Sequence, residues 1–242
     1  MLSYGSSARL AAAVAACAIV APVYADAPAM TLTVNSGMFG KNLQLDPTAI
    51  DNGIGSYVGS AFGMNNLWRL DYNLVATVGD ASGSQSGALA LTNLSGSTQT
   101  YSMTLSLPTT VSGDYTGLFN GSLTAVLITG GPGSMSSVDG LPLWTASSGG
   151  VVAGELFTNP FTATRNGPGA TSLGSRTFGG ATPSEPSSSF GEMLSISLNF
   201  TLSAGATASF SSAFAGTGIP VPAPGALVAL GMAGLASRRR RR

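Results

Sequence analysis

The sequence predicts an all-β protein: an antiparallel two-layer β-sandwich of jelly-roll or immunoglobulin-like type, followed by a short C-terminal transmembrane helix. Three observations carry this expectation. Apolar and polar residues alternate in several segments, the period-two signature of half-buried antiparallel strands. Clusters of Gly, Ser and Asn punctuate those segments where turns are needed. No helical period of comparable strength runs between Asp26 and Gly218.

From the N-terminus, Arg9 precedes an apolar stretch from Leu10 to Val20, then Pro22-Val23-Tyr24-Ala25. Small or β-branched residues at Val23 and Ala25 suit a signal peptidase. Residues 1–25 therefore read as a secretory signal peptide cut between Ala25 and Asp26. The single cysteine, Cys17, falls within it, so the remaining chain has no thiol for a disulfide. Residues 26–218 form the expected β domain, and 193 residues are enough for one substantial core.

The clearest strands come next. In "LWRLDYNLVATV", Trp68, Leu70, Tyr72, Leu74, Ala76 and Val78 share one parity. In "TYSMTLSLP", Tyr101, Met103, Leu105 and Leu107 alternate with Ser and Thr. In "MLSISLNFTL", Leu194, Ile196, Leu198, Phe200 and Leu202 do the same. In "TASFSSAF", Ala208, Phe210, Ser212 and Phe214 share a face. "TNLSGSTQT" and "SAGA" are expected to close hairpins between these strands. Weaker candidates are Thr31–Asn35, Leu123–Thr129 and Val151–Phe157. About eight to ten strands are expected in all. "TGGPGSMSSVDG" and "NPFTATRNGPGATSLGSRTFGGATPSEPSSS" read as a long loop and a surface excursion. A closed barrel is the alternative architecture, and the Ser/Thr-rich strand faces argue against an outer-membrane one.

Charge and composition restrict the chemistry. Between Asp26 and Gly218 stand Lys41, Arg69, Arg165 and Arg176 against ten acidic residues, a net charge of −6. A sparsely charged acidic body is a poor partner for nucleic acid, which needs clustered Lys and Arg. There is no histidine in the chain, which removes His-based triads and conventional zinc sites. Paired carboxylates remain for glycoside hydrolysis, with Asp46 and Asp51, or Glu185 and Glu192, near one another in sequence. Asp46, Asp51 and Asn52 also place oxygen donors in a glycine-containing loop of the kind calcium uses. Their spacing is not that of an EF-hand, and Asp-Pro and Asp-Asn-Gly are ordinary turn formers. No cofactor is expected. Three glycosylation sequons occur, at Asn93, Asn120 and Asn199, of which Asn199 faces outward by its parity.

The C-terminus, 219–242, has three parts. Pro220, Pro222 and Pro224 hold an extended hinge. Gly225 to Ala236 is an apolar run of 12 residues. As a helix it reaches ~18 Å, against a bilayer core of ~30 Å. Arg238, Arg239, Arg240, Arg241 and Arg242 follow, a cytoplasmic stop that does not readily cross the bilayer and whose stems snorkel to lengthen a short span.

"VPAP" ahead of "GALVALGMAGLA" and the arginine cluster resembles the PEP-CTERM sorting signal of Gram-negative-type bacteria. Val221, Pro222 and Pro224 match its motif, while Ala223 stands where the family usually carries glutamate. The body from Trp68 to Phe214 is similar to a domain found ahead of such tails, through "LWRLDYNLVATV", "LTNLSGSTQTYSMTLSLP" and "NFTLSAGATASFSSAF". The resemblance implies an exported, non-enzymatic protein of the cell surface or extracellular matrix. It also implies an exosortase-like sorting enzyme as partner, transient anchoring in the inner membrane, and association with exopolysaccharide or biofilm. The competing expectations are a secreted carbohydrate-active enzyme and a protein held permanently in the membrane by its tail.

Overall fold

The computed structural model describes residues 27–37, 39–111, 115–187 and 189–221. In chain order the strands are β1 (Met30–Ser36), β2 (Phe39–Leu45), β3 (Ala49–Asp51), β4 (Ile54–Phe62), β5 (Trp68–Gly79) and β6 (Ser82–Asn93). Next come β7 (Gln99–Pro108), β8 (Tyr115–Thr129), β9 (Gly133–Ser136), β10 (Trp144–Ser148) and β11 (Val151–Leu156). The series ends with β12 (Thr162–Arg165), β13 (Gly169–Phe178), β14 (Glu185–Ser187), β15 (Met193–Leu202) and β16 (Thr207–Pro220). These make two antiparallel sheets. The first runs β11-β10-β15-β7-β1-β2, with β9 beside β15 and β12 beside β9. The second runs β13-β8-β16-β6-β5-β4-β3, with β14 beside β8. Both sheets have open ends, so the architecture is a sandwich and not a closed barrel.

The alternation read from the sequence becomes the core. Along β7 and β15, Tyr101, Met103, Leu105, Leu107, Leu194, Ile196, Leu198, Phe200 and Leu202 are buried. They face Leu70, Leu74, Leu91, Phe210 and Phe214 of the second sheet in one hydrophobic cluster. Fully burying side chains of this size contributes about 1.5–3 kcal/mol each. Aromatic rings join the layers: Phe200 on β15 lies 5.1 Å from Phe210 on β16, and Trp144 on β10 meets Phe214 edge-on at 6.2 Å. Phe178 of β13 tilts against Trp144 at 5.8 Å and closes that side of the sandwich over β11.

Several expectations change. "TNLSGSTQT" and "SAGA" do not close hairpins. β6 and β7 lie in different sheets, as do β15 and β16, so both turns carry the chain across the core. A half-buried strand followed by a short turn satisfies either arrangement, because the next strand buries its apolar face equally well beside it or opposite it. Asn93 settles the matter locally. Its buried side chain donates to the carbonyls of Ser97 and Leu202, both at 2.9 Å, and accepts from the Ser95 amide and hydroxyl. Its main chain pairs with Ala206 and Gly205. One residue thus ties the two crossovers together.

The strands number 16 among the described residues, more than the eight to ten expected. The stretch read as a surface excursion holds β12, β13 and β14, and the one read as a Gly/Ser loop holds β9. β13 pairs along most of β8 while exposing most of its residues. It satisfies backbone groups without filling the core, so it carries no alternating pattern. The expected C-terminal helix lies outside the described residues, and no described helix is long and apolar enough to cross a membrane.

Candidate functional site

The outer face of the first sheet is built by the same alternation that fills its inner face. Apart from Leu107, which Pro108 follows, each core residue of β1, β7, β10 and β15 is followed by a Ser, Thr or Asn directed away from the core. Strand register then assembles these into rows. One row runs Thr145, Ser197, Thr104, Thr33 and Asn42 across β10, β15, β7, β1 and β2. A second runs Ser147, Ser195, Ser106, Thr31 and Gln44 across the same five strands. A third holds Asn199, Ser102 and Asn35. Neighbouring strands lie ~4.8 Å apart and rows ~6.8 Å apart, from ordinary sheet geometry.

Adjacent hydroxyls in these rows hydrogen-bond one another. Thr104 and Ser197 are 3.1 Å apart, as are Ser106 and Ser195. Ser136 on β9 is bonded in the same way to Thr201. Each hydroxyl has two lone pairs and one proton, so a bond to its neighbour leaves capacity for a ligand or water. The three rows contain no charged side chain, and Glu155 of β11 borders them beyond Thr145. Such a surface can hydrogen-bond neutral polar groups over a wide area.

The residues singled out from the sequence are dispersed. Asp46 and Asp51 are both exposed, and the Asp51 carboxylate accepts from the Asn52 amide at 3.0 Å. Glu185 sits on β14 of the second sheet, whereas Glu192 leads into β15 of the first, and both are exposed. No group of three or more His, Cys, Asp or Glu side chains converges among the described residues. Asn93 is 0 % exposed with its amide nitrogen committed to two carbonyls, so the folded protein does not present it for glycosylation. The Asn120 amide is tied to Gly180 and Ala181 at the rim of a hollow of about 190 Å³ on the second sheet. Asn199 lies half-buried on the outer face, as its parity required. Of the tail motif, Val221 is described and exposed. Ala25, Asp26, Pro222, Ala223, Pro224 and Arg238 to Arg242 lie outside the described residues.

Two buried polar groups belong to the core. Gln85 of β6 donates to the Leu194 carbonyl of the opposite sheet at 3.3 Å, while its carbonyl oxygen has no partner among the described residues. The Tyr101 hydroxyl also lacks one. Burial pushes the Tyr101 phenol up to about 12; nearby Ser36 pulls the other way without reaching hydrogen-bonding geometry.

The sequence showed which residues of β7 and β15 face outward. It did not show which strands adjoin, and β2 and β10 were not expected as strands at all. The rows exist only through that register.

The fold and this surface define a two-layer antiparallel β-sandwich with one extended, uncharged, hydroxyl-rich face. In comparisons with known proteins, no family model matches the chain and no curated protein matches it.

Proposed function

We propose that this chain is an exported, non-enzymatic protein of the cell surface or extracellular matrix, sorted by an exosortase-like enzyme, and that its first sheet lies along a neutral polysaccharide. The observation that carries the binding role is the uncharged array of hydroxyl and amide side chains in register across five strands. Sugar hydroxyls both donate and accept, as do Ser and Thr, so the two surfaces are chemically matched. Each contact competes with water and contributes little alone. A long polymer that engages several rows gains from their linkage. The acidic body disfavours anionic polymers by simple repulsion.

The sorting role rests on the order of parts at the C-terminus: the Val221-Pro222-Ala223-Pro224 hinge, a short apolar segment acting as a membrane helix, and Arg238 to Arg242 as its stop. Within two-sheet folds we assign the domain to the jelly-roll or immunoglobulin-like sandwiches. The insertion of β15 between β10 and β7, and of β16 between β8 and β6, supports this reading.

The binding role is tested by co-sedimentation with an insoluble neutral glucan. Replacing Thr104 and Ser197 with Asp should weaken retention at least about tenfold, by forcing desolvation of buried charge at the contact. Ser211→Asp, on the outer face of the second sheet, should bind like the parent. Equal binding by all three proteins, or none by the parent, ends the polysaccharide reading. The sorting role is tested by changing Arg238 to Arg242 to Ser, which should release unsorted protein to the medium. Pro222→Ala with Pro224→Ala should instead trap full-length chain in the inner membrane. Parent-like fate for both variants ends the sorting reading.

A further inference from the structure

One sheet edge is left open in an unusual way. β3 is three residues long and pairs only with Ile54 to Ser56 of β4. Beyond that point β4 runs on to Phe62 with β5 on one side and, among the described residues, no strand on the other.

Two contacts fix which backbone groups face that edge. The Ser56 carbonyl accepts from the Thr48 amide at 2.7 Å, and the Phe62 carbonyl accepts from the Lys41 ammonium at 2.8 Å. Gly63, of the other parity, donates its amide to Trp68 on the β5 side. Even-numbered residues of β4 therefore point their amides and carbonyls outward. Between the two capped positions, Val58 and Ser60 present both groups with no strand beside them among the described residues.

The side chains of the same residues lie on the outer face. Val58 is 55 % and Phe62 43 % exposed. From Asn52 to Trp68 the sequence has no charged residue. Free sheet edges are usually protected by a charge, a proline, a bulge or a covering segment. Among the described residues two charges stand at the end of β4: Lys41, reaching over from β2 of the other sheet to the Phe62 carbonyl, and Arg69 of β5, whose guanidinium lies 5.8 Å from the Phe62 ring.

We propose that this edge pairs antiparallel with the same edge of a second copy, about a two-fold axis through Ser60, joining two second sheets into one continuous sheet. The strand is complementary to itself. With Ser60 opposite its own copy, Val58 falls opposite the other protomer's Phe62, an apolar and aromatic cross-strand pair of the favourable kind. No like charges meet, because the strand has none, and each outward amide finds a carbonyl, that of Phe62 accepting from the other copy's Val58 amide with its second lone pair beside the Lys41 ammonium. A two-fold arrangement closes after one pairing and does not propagate. The contact is short, so the dimer is weak and concentration-dependent.

Sedimentation velocity of the purified full chain over a concentration series should show a reversible monomer–dimer equilibrium. Ser60→Lys brings two charges together on the axis and should raise the dissociation constant at least about tenfold. Its β-type circular dichroism and melting should match the parent, since the side chain is exposed. In a Cys17→Ser background, Ser60→Cys should give an oxidised dimer much faster than Ser211→Cys, whose side chain is also exposed but lies on β16 in the middle of the sheet. A chain that stays monomeric at every accessible concentration overturns the proposal. So does a dimer indifferent to Ser60→Lys, or equal cross-linking at the two cysteines.

Discussion

Trp144 and Ser212 join the two sheets through the middle of the core: the indole N–H of one donates to the hydroxyl of the other at 2.7 Å, and both residues are buried. A buried Trp needs a partner for its N–H, and the serine on an otherwise apolar face of β16 supplies it. Ser212→Ala keeps the packing nearly unchanged but leaves the indole unpaired. The expected cost is about 1–3 kcal/mol, read as a lower midpoint in urea with an unchanged slope. Trp144→Phe should cost more through lost volume. Combining it with Ser212→Ala should add little further, because the bond is already gone.

Tyr101 gives the opposite sign. Its hydroxyl is buried without a partner among the described residues, so Tyr101→Phe should hold or raise stability at neutral pH, by up to about 1 kcal/mol. The pH dependence follows from the phenol. Its folded value, about 12, lies above the usual 10, so its contribution is complete below pH 10 and is lost as pH rises through 12. A shift of that size corresponds to roughly 2–3 kcal/mol. Tyr101→Phe should therefore flatten the alkaline fall in melting temperature. Part of the fall should survive, because burial also raises Tyr57.

Asn93 is predicted to be the least replaceable polar residue of the fold. Asn93→Ala removes a donor from the Leu202 carbonyl, one of the two donors to the Ser97 carbonyl, and the acceptor of the Ser95 amide and hydroxyl at once, an expected loss of about 2–3 kcal/mol. Asn93→Asp should fare no better, since a carboxylate cannot donate to the two carbonyls. Thermal melts of both variants beside the parent decide this. A loss below about 1 kcal/mol in either would mean that the crossovers hold without the residue.

Chelation should leave the melting temperature unchanged. Asp46 and Asp51 are exposed and the second is already bonded to Asn52. A clear fall in melting temperature with EDTA would restore calcium to that loop.

How legible all this was in the sequence depended on what each segment buries. β5, β7, β15 and β16 each place a row of large apolar residues against the core, and their inner faces read directly from alternation, even including Ser212. β13 and β2 bury little, and their sequences are shaped by backbone pairing that leaves no periodic trace. The two crossovers were misread as hairpins because parity is silent about the partner sheet. Asn93 was visible only as a sequon, with no hint that its amide is the knot between the turns. The outer array was half visible: the Ser and Thr positions of β7 and β15 were plain, but their alignment with Thr33 and Thr145 required the register.

The placement of β15 and β16 has a consequence for the order in which the chain can fold. Each is an interior strand of its sheet, although they are the last two elements among the described residues. Until they arrive, the first sheet exists only as separate pieces ending at β10, β9 and β7, and the second as pieces ending at β8 and β6. Pairings between residues so far apart in sequence form late and slowly. Under the export reading proposed above, a chain threaded N-terminus first through a pore stays open, with bare edges on all five pieces, until Pro220 has emerged. That open state is what a translocation channel requires and what aggregation exploits. If the chain is exported as proposed, the segment directly behind Pro220 is the part still to emerge at the moment the sandwich closes.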